Sequence, residues 1–154
     1  MYSIINEAAK AYDGVIPADR YHQPYMSMDE LAREMKRVNF FGWEVNGELA
    51  GIMGIEPVKD VTLIRHAYVL PQYQKQGIGK ELLNHLKSLG TTPELLVGTW
   101  ADARWAIAFY QKHGFSLLAN KDELLKTYWD IPQRQIETSV VMGLHIDKDI
   151  KESV

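Results

Sequence analysis

The chain has 154 residues and no cysteine, with 46% apolar and 24% charged residues. That composition fits one ordinary folded domain and excludes disulfides, iron–sulfur clusters and thiolate-zinc sites. Seventeen Lys and Arg against twenty Asp and Glu leave a net charge of -3, so no overall positive field draws the chain to nucleic acid.

The first 10 residues set Asn6, Glu7 and Lys10 among apolar side chains and lack the order of a secretory leader. In residues 2–12, Ile4, Ile5, Ala8, Ala9 and Tyr12 recur three and four apart and predict a helix closed by Asp13-Gly14. Residues 15–26 carry Pro17, Pro24, Tyr21, Tyr25, Arg20 and His22 and read as an aromatic loop suited to binding. Ser27 with Glu30 three residues on has capping-box spacing and opens a second helix that ends near Asn39. Residues 40–45 and 48–58 are strand-like and flank Asn46-Gly47, the dipeptide of a type I′ hairpin. The longest strongly apolar stretch, near 49–55, is far below the roughly 18 residues of a membrane span, so a cytoplasmic protein is expected.

A turn at Lys59-Asp60 leads into strand 61–70, which completes an antiparallel meander and stops at Pro71. Residues 77–89 form an amphipathic helix with Ile78, Leu82, Leu83, Leu86 and Leu89 inward, ended by Gly90. Then come strand 94–99, helix 102–113 closed by Gly114, strand 115–118, helix 122–129 and strand 135–146, the last with alternation at Ile136, Thr138, Val140 and Met142. No repeat or linker interrupts this order. One domain over 1–147 with a polar tail, 148–154, is the expectation.

The stretch from Val69 to Lys80 is a strand end, a glycine-bearing loop and a helix start. Helix N-termini present unpaired N–H groups and about half a positive charge, and Gly77 and Gly79 let the backbone approach an anion. A Walker A loop would need glycine where Gln74 stands and Ser or Thr where Glu81 stands; a dinucleotide fingerprint would need glycine in place of Leu82. Taken as a fragment, the loop suits a tight turn as well as a phosphate cradle.

Gln74, Gly77 and Gly79, after a strand ending in Val69-Leu70-Pro71, resemble the Q/R-x-x-G-x-G/A hallmark of the GNAT superfamily of acetyl-coenzyme A dependent acyltransferases. Downstream, residues 106–115 resemble that superfamily's A-I-x-F-Y-x-x-x-G-F helix motif, with Ala106, Ile107, Phe109, Tyr110, Gly114 and Phe115 in place. The similarity covers residues 2–146 and implies an α/β (α+β layered) fold, a mixed, mostly antiparallel central sheet flanked by helices. It departs in two places: helix-like sequence stands where members open with a strand, and Ala103 stands where an asparagine often introduces the helix motif.

The resemblance implies an N-acetyltransferase that moves an acetyl group from acetyl-coenzyme A (acetyl-CoA) to a primary amine by direct attack in a ternary complex. The pantetheine arm would meet the main chain of Tyr68 and Val69, and the diphosphate would lie on Gln74, Lys75, Gln76, Gly77, Ile78, Gly79 and Lys80. Tyr110 would be the catalytic proton donor to the departing thiolate, since a phenol with a pKa near 10 stays protonated at neutral pH. The alternative is a non-catalytic acyl-CoA binding or sensing module, because no side-chain base is obvious. Positions where members carry one hold Leu63 and Arg65, leaving Glu56 and His66.

The same resemblance places acceptor choice in 15–26 and in a hairpin over 130–136. Tyr12, Tyr21, Tyr25, Trp100, Tyr128 and Trp129 would line the mouth, with Arg65 or Arg20 on an acidic group of the acceptor. The acceptor would be a small-molecule or peptide amine, with no nucleic acid or membrane partner, and an exposed edge strand would invite a homodimer. His22, His66, His85, His113 and His145 show no ligand spacing, so no metal is expected.

Overall fold

The computed structural model describes residues 1–12, 25–89 and 92–146. Most of the expected aromatic loop, the Gly90 stop and the tail therefore lie outside the described residues. Among the described residues six strands form one sheet in the order β1-β2-β3-β4-β6-β5: β1 Asn39–Val45, β2 Glu48–Val58, β3 Val61–Val69, β4 Glu94–Trp100, β5 Ser116–Leu117 and β6 Ser139–His145. β1 pairs antiparallel with β2, and β6 antiparallel with both β4 and β5. Among the described residues six α-helices accompany them: α1 Tyr2–Ala8, α2 Met28–Glu34, α3 Ile78–Leu89, α4 Arg104–Lys112, α5 Lys121–Tyr128 and α6 Gln133–Glu137. The mixed, mostly antiparallel sheet flanked by helices is as expected from the sequence.

The chain comprises two compact units, Met1–Glu56 with Ile64–Ser88, and Pro57–Leu63 with Leu89–Val154. In the first, Ile4 and Ile5 of α1 pack with Met26, Leu31, Ile52 and Leu70. The stripe read from residues 2–12 is this face, although its last turn, Ala9–Tyr12, tightens to a 3-10 helix. Asn6 ties α1 to Met26, just ahead of α2: its amide donates to Met26 O at 2.9 Å and its carbonyl accepts from Met26 N at 2.8 Å. Ser27 accepts from Glu30 N at 3.1 Å and caps α2. The hairpin turn has positive φ at both Asn46 (51°) and Gly47 (81°), as type I′ geometry requires.

In the second unit, Val61, Leu63, Leu96, Leu125, Ile136 and Val141 form the core. Buried Thr62 pairs its hydroxyl with that of Thr92 at 2.8 Å, and the Thr92 hydroxyl also donates to Glu94 O at 3.0 Å. The expected strand over 135–146 begins only at Ser139, because residues 133–137 form helix α6. Pro132 sets its start, and the Thr138 hydroxyl returns to Arg134 O at 2.9 Å. The alternation read across Ile136 to Met142 thus joined a helix to a strand, and the hairpin expected over 130–136 contains a helical turn instead.

Candidate active site

Leu70 ends β3 with its N–H on Ala50 O at 2.9 Å, and Pro71–Tyr73 make one 3-10 turn. The chain then swings through two left-handed residues, Lys75 (φ 64°) and Gly77 (φ 81°), before α3 begins. Gly77 faces open space, with no atom within 4 Å of where a Cβ would stand. The first turn of α3 closes with Glu81 N on Gly77 O at 3.0 Å, so Ile78, Gly79 and Lys80 lie ahead of any i−4 acceptor within the helix. Gln74, Lys75, Gln76, Gly77 and Lys80 are exposed and Ile78 is buried. This is an exposed, glycine-bearing helix start whose first N–H groups precede the first intrahelical bond, with two lysines in the same stretch, and its chemistry fits a diphosphate.

What seats this helix start is a glycine that no local motif marks. A Cβ on Gly51 of β2 would come within 2.8 Å of Ile78 Cγ2, 3.2 Å of Leu82 Cδ1 and 3.4 Å of Val69 Cγ2. Gly51 therefore lets α3 lie against the strands at the turn that carries the loop. Gln74 stays exposed and bends back, its Nε2 donating to Val69 O at 3.2 Å, so the loop is bonded to the end of β3. Tyr68 packs its ring on the first unit's core, an ordinary use of the side chain.

Tyr110 belongs to the second unit. It is buried on α4, with its ring edge-on to Phe109 at 5.1 Å and to Phe115 at 5.3 Å between centroids. Gly114 (φ 96°) turns the chain back, and Phe115 N returns to Tyr110 O at 3.0 Å. Ala103 is buried at the N-cap of α4 without a side-chain cap bond.

Arg65, Glu56 and His66 converge in a cluster with Glu34 and Arg37. Arg65 pairs with Glu56 at 3.0 Å and lies 3.8 Å from Glu34. Arg37 grips Glu34 at 2.8 and 3.1 Å. His66 Nε2 is buried, 3.6 Å from Glu34 Oε2, which is beyond hydrogen-bond length, and has no hydrogen-bond partner among the described residues. The facing imidazole, then the guanidinium groups of Arg37 and Arg65, hold the Glu34 carboxyl well below the ordinary carboxylate range against the opposing effect of burial. Arg65 is thus occupied by carboxylates of its own chain. His66 adopts φ 55° within β3, the left-handed geometry found at bulges. Residues 61–64 are buried, and 65–69, His66 among them, are half-buried.

Of the expected aromatic mouth, Tyr128 donates its hydroxyl to Asp60 at 2.6 Å, and the Trp129 ring lies 3.3 Å from where a Gly98 Cβ would stand. Both serve packing in the second unit. Arg20, Tyr21 and His22 fall outside the described residues. Among those described, no group of three His, Cys, Asp or Glu is arranged to hold a metal ion, and no helix is long and apolar enough to cross a membrane.

The sequence model of the acetyltransferase (GNAT) family matches residues 1–115. The chain belongs to this family; it is an acetyltransferase, and acetyl-CoA is its co-substrate. Among solved structures, a GNAT family acetyltransferase from Staphylococcus aureus Mu50 superposes with a TM-score of 0.70 at 16% identity, over 95% of this chain and 90% of that one. The ribosomal-protein-S18-alanine N-acetyltransferase of Escherichia coli gives 0.62 at 25% identity, over 84% and 83%. A GNAT family acetyltransferase from Elizabethkingia anophelis with acetyl-CoA bound gives 0.61 at 23% identity, over 78% and 84%.

Proposed function

We propose that the chain is an N-acetyltransferase, one domain over 1–147, that transfers acetyl directly from acetyl-CoA to a primary amine in a ternary complex. The observation that carries this is the exposed helix start after β3, with Gly77 open and left-handed and the N–H groups of Ile78, Gly79 and Lys80 ahead of the first helical bond. Bound there, acetyl-CoA supplies the activated thioester. The amides from Gln76 to Lys80 hold its diphosphate, and Lys75 and Lys80 add positive charge. The main chain of Tyr68 and Val69 orients the pantetheine amides and meets the charge that develops on the thioester carbonyl. Tyr110 holds a proton at its phenol oxygen for the departing sulfur.

The acceptor amine is a cation at neutral pH and must lose a proton before attack. Leu63 is fully buried and Arg65 is ion-paired, so neither position performs this step. A small-molecule or peptide amine, a cytoplasmic setting and a homodimer complete the reading.

Calorimetry with coenzyme A and thioester consumption against grouped amine libraries test it together. Expected are saturable heat from the parent, little or none from Gly77→Val, and turnover with at least one amine class. A parent protein that takes up no coenzyme A would refute the proposal.

A further inference from the structure

The loop between β3 and α3 is bonded mostly to itself. Tyr73 N and Gln74 N donate to Leu70 O and Pro71 O at 2.9 and 3.3 Å, and Gln76 Nε2 donates to Gln72 O at 3.4 Å. It is moored at its start by Leu70 N on Ala50 O, and at its end by Ile78 seated over Gly51. Between these points lie two left-handed residues, Lys75 and Gly77, and a run of exposed backbone. Midway, the Tyr73 hydroxyl donates to Glu48 Oε2 at 2.6 Å. Among the described residues this is the loop's one side-chain bond to β2.

The Tyr73 ring and the Glu48 backbone are each held by other contacts. The Tyr73 ring packs on the core of Ile4, Ile5, Met26 and Leu70. Glu48 follows the tight turn at Asn46-Gly47 and is in register opposite Val45. A phenol donating to a carboxylate makes a charge-assisted bond, shorter and stronger than a neutral one. The carboxylate also raises the Tyr73 pKa, so the hydroxyl keeps its proton throughout the neutral range.

We infer that the Tyr73–Glu48 bond is a latch that holds the middle of this loop with its amides arranged for the diphosphate, making Tyr73 a positioning residue for the co-substrate. This rests on the diphosphate reading given above. Without the latch, residues 74–77 keep their moorings at each end but sample other arrangements, and binding must then restore order at a cost in affinity. The chemistry at the thioester is untouched.

The test compares the parent, Tyr73→Phe, Glu48→Ala and the double variant. The phenylalanine keeps the ring packed against the core, so the variant should stay folded, its melting temperature without ligand falling by no more than the loss of one exposed hydrogen bond. The latch predicts coenzyme A binding two- to tenfold weaker in Tyr73→Phe, the range expected for one hydrogen bond. KM for acetyl-CoA should rise in step while kcat is unchanged. Acetylpantetheine, which lacks the diphosphate, should be used equally well by both proteins. The double variant should bind no more weakly than the worse single one, because both remove the same bond.

Equal coenzyme A affinity in the parent and Tyr73→Phe overturns the latch and leaves the diphosphate reading standing. So does an equal loss with both thioesters, or additive losses in the double variant. A parent that binds no coenzyme A removes both.

Discussion

Glu34 is the described carboxyl whose acidity the fold alters most, and the sign of its effect on stability can be worked out. Its pKa is depressed in the folded state, so it contributes stability that is complete above the unfolded value of about 4.3 and is lost as pH falls toward the folded value. The expected result is a steep fall in melting temperature on acidification below about pH 4.5, shallower in Glu34→Gln. An unchanged acid limb in that variant would show that other carboxylates govern it. Tyr110→Phe removes one oxygen while keeping a ring between Phe109 and Phe115. If Tyr110 is the proton donor, kcat should fall by on the order of 10² with coenzyme A affinity preserved; unchanged turnover would remove it from the mechanism. His66 shows why such residues were only half legible. A histidine on a strand is plain in the sequence, whereas its left-handed φ and its place opposite Glu34, 32 positions earlier, depend on how β3 and α2 pack.

Short elements with local signals followed their sequences closely. Ser27 caps α2 through its own hydroxyl, so Ser27→Ala should cost about 1 kcal/mol in denaturant unfolding, and Ser27→Asp should retain most of that stability. α3 behaves differently. Its amphipathic stripe predicts a helix, and the depth at which it sits is set by Gly51 on another element. Gly51→Val should force Ile78 and Leu82 outward, cost roughly 1–3 kcal/mol from overpacking, and weaken coenzyme A binding because the helix start moves with Ile78. A variant that loses stability but binds coenzyme A normally would separate the packing role from the binding role. α6 was hidden from a strand reading because the period-two pattern that starts at Ile136 runs from its last residues into β6, while Pro132 at its N-cap and the Thr138 return bond mark the helical turn.

For the chain as a whole, acetyl-CoA dependence makes stability a function of ligand. Coenzyme A at 100 times its dissociation constant should stabilise the folded protein by about 2.7 kcal/mol, a rise of roughly 5–10 °C in melting temperature for a chain of this length. The rise should continue logarithmically with concentration and disappear in Gly77→Val. The family and its glycine loop are legible in residues alone, since the hairpin dipeptide, the helix cap and the β3–α3 junction are each written in a few consecutive positions whose backbone preferences are intrinsic. The Glu34–Arg37–Glu56–Arg65–His66 cluster, the Gly51 seat and the Tyr73–Glu48 bond are not. Each of those joins positions that lie far apart along the chain. Their burial, charge balance and spacing come into being only when strands and helices pack, and no local preference encodes them.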